Sequence, residues 1–136
     1  MEKTVHFPYP EVGHSISLPY LPITFTHADQ SLSASGLLDT GSTVNVLPYE
    51  MGTKLGAVWE EQTIPVTLTG NLAHFDARGF LLSATVDPFP PVQLAFAWTR
   101  AENVPLILGQ VNFFMEFDIC FYRSRSMFEL KPKQSK

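Results

Sequence analysis

Apolar and β-branched residues come in short runs along this chain, each cut off by proline, glycine or a polar cluster before it reaches helical length. Residues 21–26 (LPITFT) read as a strand, 27–30 as a polar turn, and 31–38 (SLSASGLL) alternate back as a second strand. That hairpin delivers Asp39. Residues 44–47 (VNVL) make another short strand, and Pro48 suits the first position of a two-turn helix ending near Gly56. Residues 64–69 and 72–75 flank Gly70-Asn71, a pair that tolerates the positive dihedrals of a tight turn, so a projecting hairpin is expected there. Residues 80–86 and 92–98 flank DPFPP and predict a further hairpin. After them come the apolar run 104–108 (VPLIL) stopped by Gly109, a short amphipathic helix over 110–117, and a closing strand pair, 119–122 with 127–130, about a turn at 123–126.

The expected class is therefore all-β, with one or two short helices. At 136 residues and 45% hydrophobic content the chain can bury one core, so residues 1–136 are expected to form a single domain with its core over about 16–130. The ends, 1–14 and 131–136, look loosely held by composition. A net charge of -4, with nine scattered Lys and Arg, provides no footprint for a phosphate backbone, so nucleic acid is not an expected partner. No apolar run approaches the roughly 20 residues of a membrane span, and the start MEKTVHFPYP lacks an apolar signal segment. The single cysteine, Cys120, excludes an internal disulfide and fits a reducing compartment; a soluble, cytoplasmic protein is the expectation.

The sharpest candidate for chemistry is LLDTGST, residues 37–43, where an apolar strand runs into an acid, a glycine and three hydroxyls. Asp39 at the end of a buried strand is partly desolvated. The Gly41 amide and the Ser42 amide and hydroxyl are placed to donate to its carboxylate, Gly41 lets the backbone come close, and the Thr40 hydroxyl can brace the loop against a neighbour. An Asp followed by Thr and Gly is equally ordinary turn chemistry after a strand. A second element changes the balance: VPLILGQ, residues 104–110, is an apolar strand ending in glycine, the kind of loop through which an Asp-bearing turn can be threaded.

LLDTGSTVNVLP followed by PLILG and a short helix resembles the retropepsin family, the single-domain aspartic proteases of retroviruses and their cellular relatives, over residues 21–130. The resemblance implies a closed β-barrel of the acid-protease type. It makes Asp39 the catalytic acid, Thr40 the hydroxyl that grips the opposite subunit, and Gly41 and Ser42 the support of the loop. Residues 64–75 become the flap, with Thr69, Gly70, Asn71 and Leu72 over the substrate and Ile107 and Leu108 in its pocket. Two carboxylates about 3 Å apart share one proton, for which pepsin is the standard worked case; one acts as general base on a water and the other polarises the scissile carbonyl. With only one DTG, and Asp29, Asp76, Asp87 and Asp118 in unlike contexts, the pair has to come from two chains, so the resemblance implies an endopeptidase active as a symmetric homodimer on polypeptide substrates, without metal or cofactor.

Some positions depart from the family. Its usual acid four residues after the catalytic Asp and its Arg after the ILG are here Thr43 and Gln110, so a neutral hydrogen bond is expected in place of the ion pair. Gly70 alone stands at the flap tip. The family's terminal strands interleave between subunits, and residues 128–130 are the stretch in question. None of His6, His14, His27 and His74 has a ligand-spaced partner, so they read as surface or structural residues, and Cys120 reads as a packed small hydrophobe. A function of another class stands beside the enzyme: a non-catalytic member of the fold that binds peptides or dimerises, with Asp39 kept as a turn residue.

Overall fold

In the computed structural model, which describes residues 3–10 and 17–134, the chain forms nine strands and one α-helix among those residues. They are β1 (Val5–Pro8), β2 (Tyr20–His27), β3 (Gln30–Leu38), β4 (Asn45–Pro48), α1 (Tyr49–Lys54), β5 (Ala77–Thr85), β6 (Val92–Thr99), β7 (Ile107–Leu108), β8 (Phe117–Tyr122) and β9 (Met127–Pro132). Six of them close a barrel in the order β2-β3-β7-β4-β6-β5, with β5 returning to β2. The period-2 pattern explains which side faces in: Leu21, Ile23 and Phe25 of β2 are buried, as are Phe80, Leu82 and Ala84 of β5 and Leu94, Phe96 and Trp98 of β6. The other three make a separate antiparallel sheet, β1-β9-β8, whose Phe128 and Leu130 are fully buried and join the same core.

Closure depends on two parallel pairings that local sequence does not specify. β3 runs parallel to β7, with Leu37 opposite Ile107 and Leu38 opposite Leu108, and β4 runs parallel to β6. Between β4 and β6, α1 packs on Trp98: the indole Nε1 donates to the Tyr49 carbonyl at 3.1 Å, and the Tyr49 ring stacks on Trp98 at 5.5 Å. A side chain at Gly52 would collide with the Trp98 indole, so only glycine fits that turn of the helix. Gly56, at φ +83°, ends it, with the Gly56 and Ala57 amides returning to the Thr53 and Gly52 carbonyls. Trp59 is held between two guanidinium groups, Arg78 at 4.7 Å and Arg100 at 4.5 Å from its ring, and Arg78 also donates to the Trp59 and Gln62 carbonyls at 3.0 Å.

Several local expectations are corrected. The hairpin expected over 64–75 is absent as a strand pair: only the base is antiparallel, with the Gly79 amide on the Ile64 carbonyl and the Val66 amide on the Ala77 carbonyl. A two-residue turn of that kind needs positive φ at both residues, and here only Gly70 has it, at +64°; Gly70–Leu72 form a 3-10 turn instead. The helix expected over 110–117 shrinks to one 3-10 turn, Phe113–Met115, because Val111 is drawn into a parallel bridge with Val44, Asn112 at φ -152° is outside helical geometry, and Phe117 already belongs to β8. The N-terminal stretch expected to be loose contains β1, and β9 runs on through Lys131 and Pro132; residues 1, 2, 11–16, 135 and 136 lie outside the described residues. Cys120 is exposed, since Ile119 and Phe121 take the inward side of β8. No helix among the described residues is long and apolar enough to cross a membrane.

Candidate active site

Asp39 leaves β3 at the point where two loops cross. Its amide donates to the Leu108 carbonyl at 3.1 Å, which carries the β3–β7 pairing one residue past the strand. Beyond it the crossing is held from both sides: the Gln110 amide donates to the Ser42 carbonyl at 2.9 Å, and the Val111 amide to the Thr43 carbonyl at 2.7 Å. A Cβ on Gly109 would run into the Val44 carbonyl and lie 2.9 Å from the Ser42 carbonyl oxygen, so the crossing closes only around a glycine.

The carboxylate of Asp39 accepts a hydrogen bond from the Gly41 amide, 2.9 Å from Oδ1, the charge-assisted support expected for it. A Cβ at Gly41 would sit 3.3 Å from that same oxygen. Ser42 behaves differently from expectation: its hydroxyl donates to the Val44 carbonyl at 2.7 Å and its amide to the Asp39 backbone carbonyl at 3.2 Å, so it shapes the loop and leaves the carboxylate to Gly41. Thr40 is exposed at the tip, and its carbonyl accepts a 2.6 Å hydrogen bond from the Gln110 side-chain amide. The neutral hydrogen bond expected between positions 43 and 110 is not the one formed: the Gln110 side chain reaches the Thr40 carbonyl, while Thr43 contributes its own carbonyl to the Val111 amide.

Below the crossing sits Asn45, fully buried, at the start of the apolar strand β4. Its Oδ1 accepts from the Gly109 amide at 2.8 Å and its Nδ2 donates to the Ala95 carbonyl at 3.0 Å. Asn112 completes the link by accepting from the Ala95 amide at 2.7 Å. These two asparagines tie both loops to β6 and were not singled out by sequence; the signal available was a lone amide between Val44 and Val46.

A cavity of about 210 Å³ opens beside Asp39. Asp39, Gly41, Ser42 and Ile107 line one side of it, and Thr69, Gly70 and Leu72 reach it from the 64–75 loop, so seven of the ten sequence-predicted residues converge there. Thr40 and Asn71 are exposed outside it, and Leu108 is fully buried in the main core, turned away from the cavity by the alternation that exposes Ile107 to it. A residue not anticipated, Leu68, is buried against Val46, Ala77 and Ala97, with Ile107 and Leu72 packed around them. It plugs the loop onto the barrel beside Asp39.

No protein-family model matches the sequence, and no curated protein matches it. Among solved structures, the chain is similar to the crystal structure of a retropepsin-like aspartic protease from Rickettsia conorii, with a TM-score of 0.73 over 97% of this chain and 94% of that chain, at 12% sequence identity. The likeness shows the fold: this is a retropepsin-like closed β-barrel.

Proposed function

We propose that the chain is a single-domain subunit of a homodimeric aspartic endopeptidase, in which Asp39 from each of two copies forms the catalytic pair. The observation that carries this reading is the position of Asp39: a half-buried carboxylate at a loop crossing, fixed by the Gly41 amide and opening on a cavity with an apolar wall. Two such carboxylates brought within about 3 Å hold one proton between them, so one can take a proton from a water while the other donates to the peptide carbonyl oxygen. The water's oxygen bonds to the carbonyl carbon, and the C–N bond breaks as the leaving amine is protonated; no covalent enzyme intermediate forms. Thr40, exposed beside Asp39, carries the hydroxyl that grips the opposite subunit, and residues 64–75 serve as the flap, with Thr69, Gly70 and Leu72 against the substrate and Asn71 at its outer surface. Ile107 supplies an apolar wall, which favours apolar side chains next to the cleaved bond, and the site uses no metal or cofactor. A cytoplasmic setting fits the single exposed cysteine.

Cleavage of a mixed-sequence peptide library by the wild type and by Asp39→Asn tests this. Cleavage confined to the wild type, and rising faster than in proportion to protein concentration, is expected; a folded dimer that cuts nothing from acidic to neutral pH contradicts it. One observation favours a non-catalytic, peptide-binding or dimerising module instead: residues 67–76 hold no strand, so the loop presents no extended edge for a substrate backbone to pair with.

A further inference from the structure

Beside Asp39 the barrel carries an apolar row on its outer side. In register, Ile107 of β7 stands opposite Val46 of β4, Val46 opposite Ala97 of β6, and Ala97 opposite Gly79 of β5. The next residues along these strands, Leu108, Leu47 and Trp98, belong to the main core, so by alternation Ile107, Val46 and Ala97 point outward. An outward row is ordinarily wetted, yet Val46 and Ala97 are each only 2% exposed. Leu68 covers them, buried against Val46, Ala77 and Ala97. Val46, Leu68 and Ile107 also border the cavity beside Asp39, so the covered row and the cavity are one continuous surface.

The loop that carries Leu68 is attached by apolar contact. Of residues 67–76, Leu68 alone is buried and Leu72 is half-buried, while the others are exposed. The Leu72, Ala73 and Phe75 amides donate to the Thr69, Gly70 and Leu72 carbonyls, all inside the loop, and among the described residues no hydrogen bond ties 67–75 to the barrel. Apolar burial is non-directional, so an attachment of this kind can be exchanged for another side chain of the same size and character. With Ala77 and Ala97 among its walls, the pocket holds one leucine side chain.

We propose that Leu68 fills the pocket that takes a leucine-like aliphatic side chain of the substrate, so that the free protein closes its own site and a peptide enters by displacing this residue. The proposal rests on the reading of Asp39 as a peptidase carboxylate and adds an internal competitor to it. The competition follows from volume, since a pocket packed to interior density has no room for two such side chains. Peptide affinity is then reduced in proportion to the share of molecules in which Leu68 has withdrawn. The occupant also indicates what the pocket selects: a residue next to the cleaved bond that is aliphatic and the size of leucine.

Methyl nuclear magnetic resonance on the wild type tests it, with a short peptide whose central peptide bond is replaced by a non-cleavable hydroxyethylene group flanked by leucines. Contacts from the Leu68 methyls to those of Val46 and Ala97 are expected in the free protein. With the peptide bound they should be lost, and the peptide's leucine methyls should touch Val46 and Ala97 instead. Leu68 contacts that persist at saturating peptide overturn the proposal. By calorimetry, Leu68→Ala should bind the same peptide at least about tenfold more tightly than the wild type, and the gain should vanish for a peptide with alanines in place of the leucines. No gain, or an equal gain for both peptides, overturns it as well, because a merely loosened loop favours both alike. A wild type that binds and cuts peptide with Leu68 still in place sinks the plug and leaves the peptidase reading standing. Failure of both proteins to bind or cut peptide at any concentration overturns both, and if Leu68→Ala does not fold, the methyl contacts decide alone.

Discussion

The side chain of Gln110 donates a 2.6 Å hydrogen bond to the carbonyl of Thr40, so the residue just past the glycine of one loop props the tip of the other. Both residues are exposed, and a bond of this kind contributes only about 1 kcal/mol to stability. Its value lies in position: it holds the peptide next to Asp39. Gln110→Ala is expected to lower unfolding stability by about 1 kcal/mol yet, on the proposed role of Asp39, reduce peptide cleavage by about tenfold, because small displacements of a reacting group cost more in rate than in folding. Chemical denaturation and steady-state kinetics on the same preparation separate the two effects.

Gly109 and Gly70 make a contrasting pair. Alanine at Gly109 drives a methyl group into the Val44 and Ser42 backbone, which cannot step aside without opening the crossing, so a loss of about 3 kcal/mol or more is expected. Alanine at Gly70 meets nothing within 4 Å and bears only the penalty of φ +64°, about 1 kcal/mol. Urea unfolding midpoints of the two variants should fall in that order.

Asn45→Leu removes a buried amide that serves the Gly109 amide and the Ala95 carbonyl together. Each is left without that partner inside the barrel, at about 1 to 3 kcal/mol apiece, and the apolar replacement recovers part of this through burial. We expect a net loss of about 2 to 4 kcal/mol and faster amide exchange at Gly109, read by thermal unfolding and hydrogen exchange.

Tyr122 lies on the outer face of the second sheet, and its hydroxyl is raised above the ordinary 10.0, first by its hydrogen bond with the Cys120 side chain and then by the charges of Cys120 and Glu129. A raised folded value favours the protonated phenol, so its contribution is complete below pH 10 and is lost as pH rises through the folded value. Cys120→Ala should move that tyrosine's ultraviolet titration back toward 10.0.

What the sequence conveyed, and what it did not, follows from the range of the forces involved. The β2–β3 hairpin and the β5–β6 hairpin were legible because both faces of each strand are written in the period-2 alternation. Asp39 was legible because its loop chemistry is local. The segment 110–117 carries a helical pattern, but Val111 is held extended by a parallel bridge to Val44, far away along the chain. β1, with Pro8 and Pro10 around it, reads as loop and becomes a strand only because β9 offers it a saturable edge. Leu68 was read as one residue of a strand, whereas the apolar pocket formed by Val46, Ala77 and Ala97 pulls it down and leaves the rest of its loop without a ladder.

That pocket gives a further expectation. Leu68→Ala empties it, so the 64–75 loop should loosen, seen as faster exchange of the Val66 and Gly79 amides, which are bonded to the Ala77 and Ile64 carbonyls, with a stability loss of about 2 kcal/mol. Retained exchange rates in that variant would show that Leu68 does not hold the loop.

The central claim is that one active site is built from Asp39 of two copies. Mixing the wild type with Asp39→Asn at equal amounts, under conditions that let subunits exchange, tests it most directly. If each site needs both carboxylates, only wild-type pairs cut, and activity per total protein falls to about one quarter of the undiluted wild type. A fall to about one half, the share of intact chains, would mean that each chain acts alone, and the shared site would be wrong.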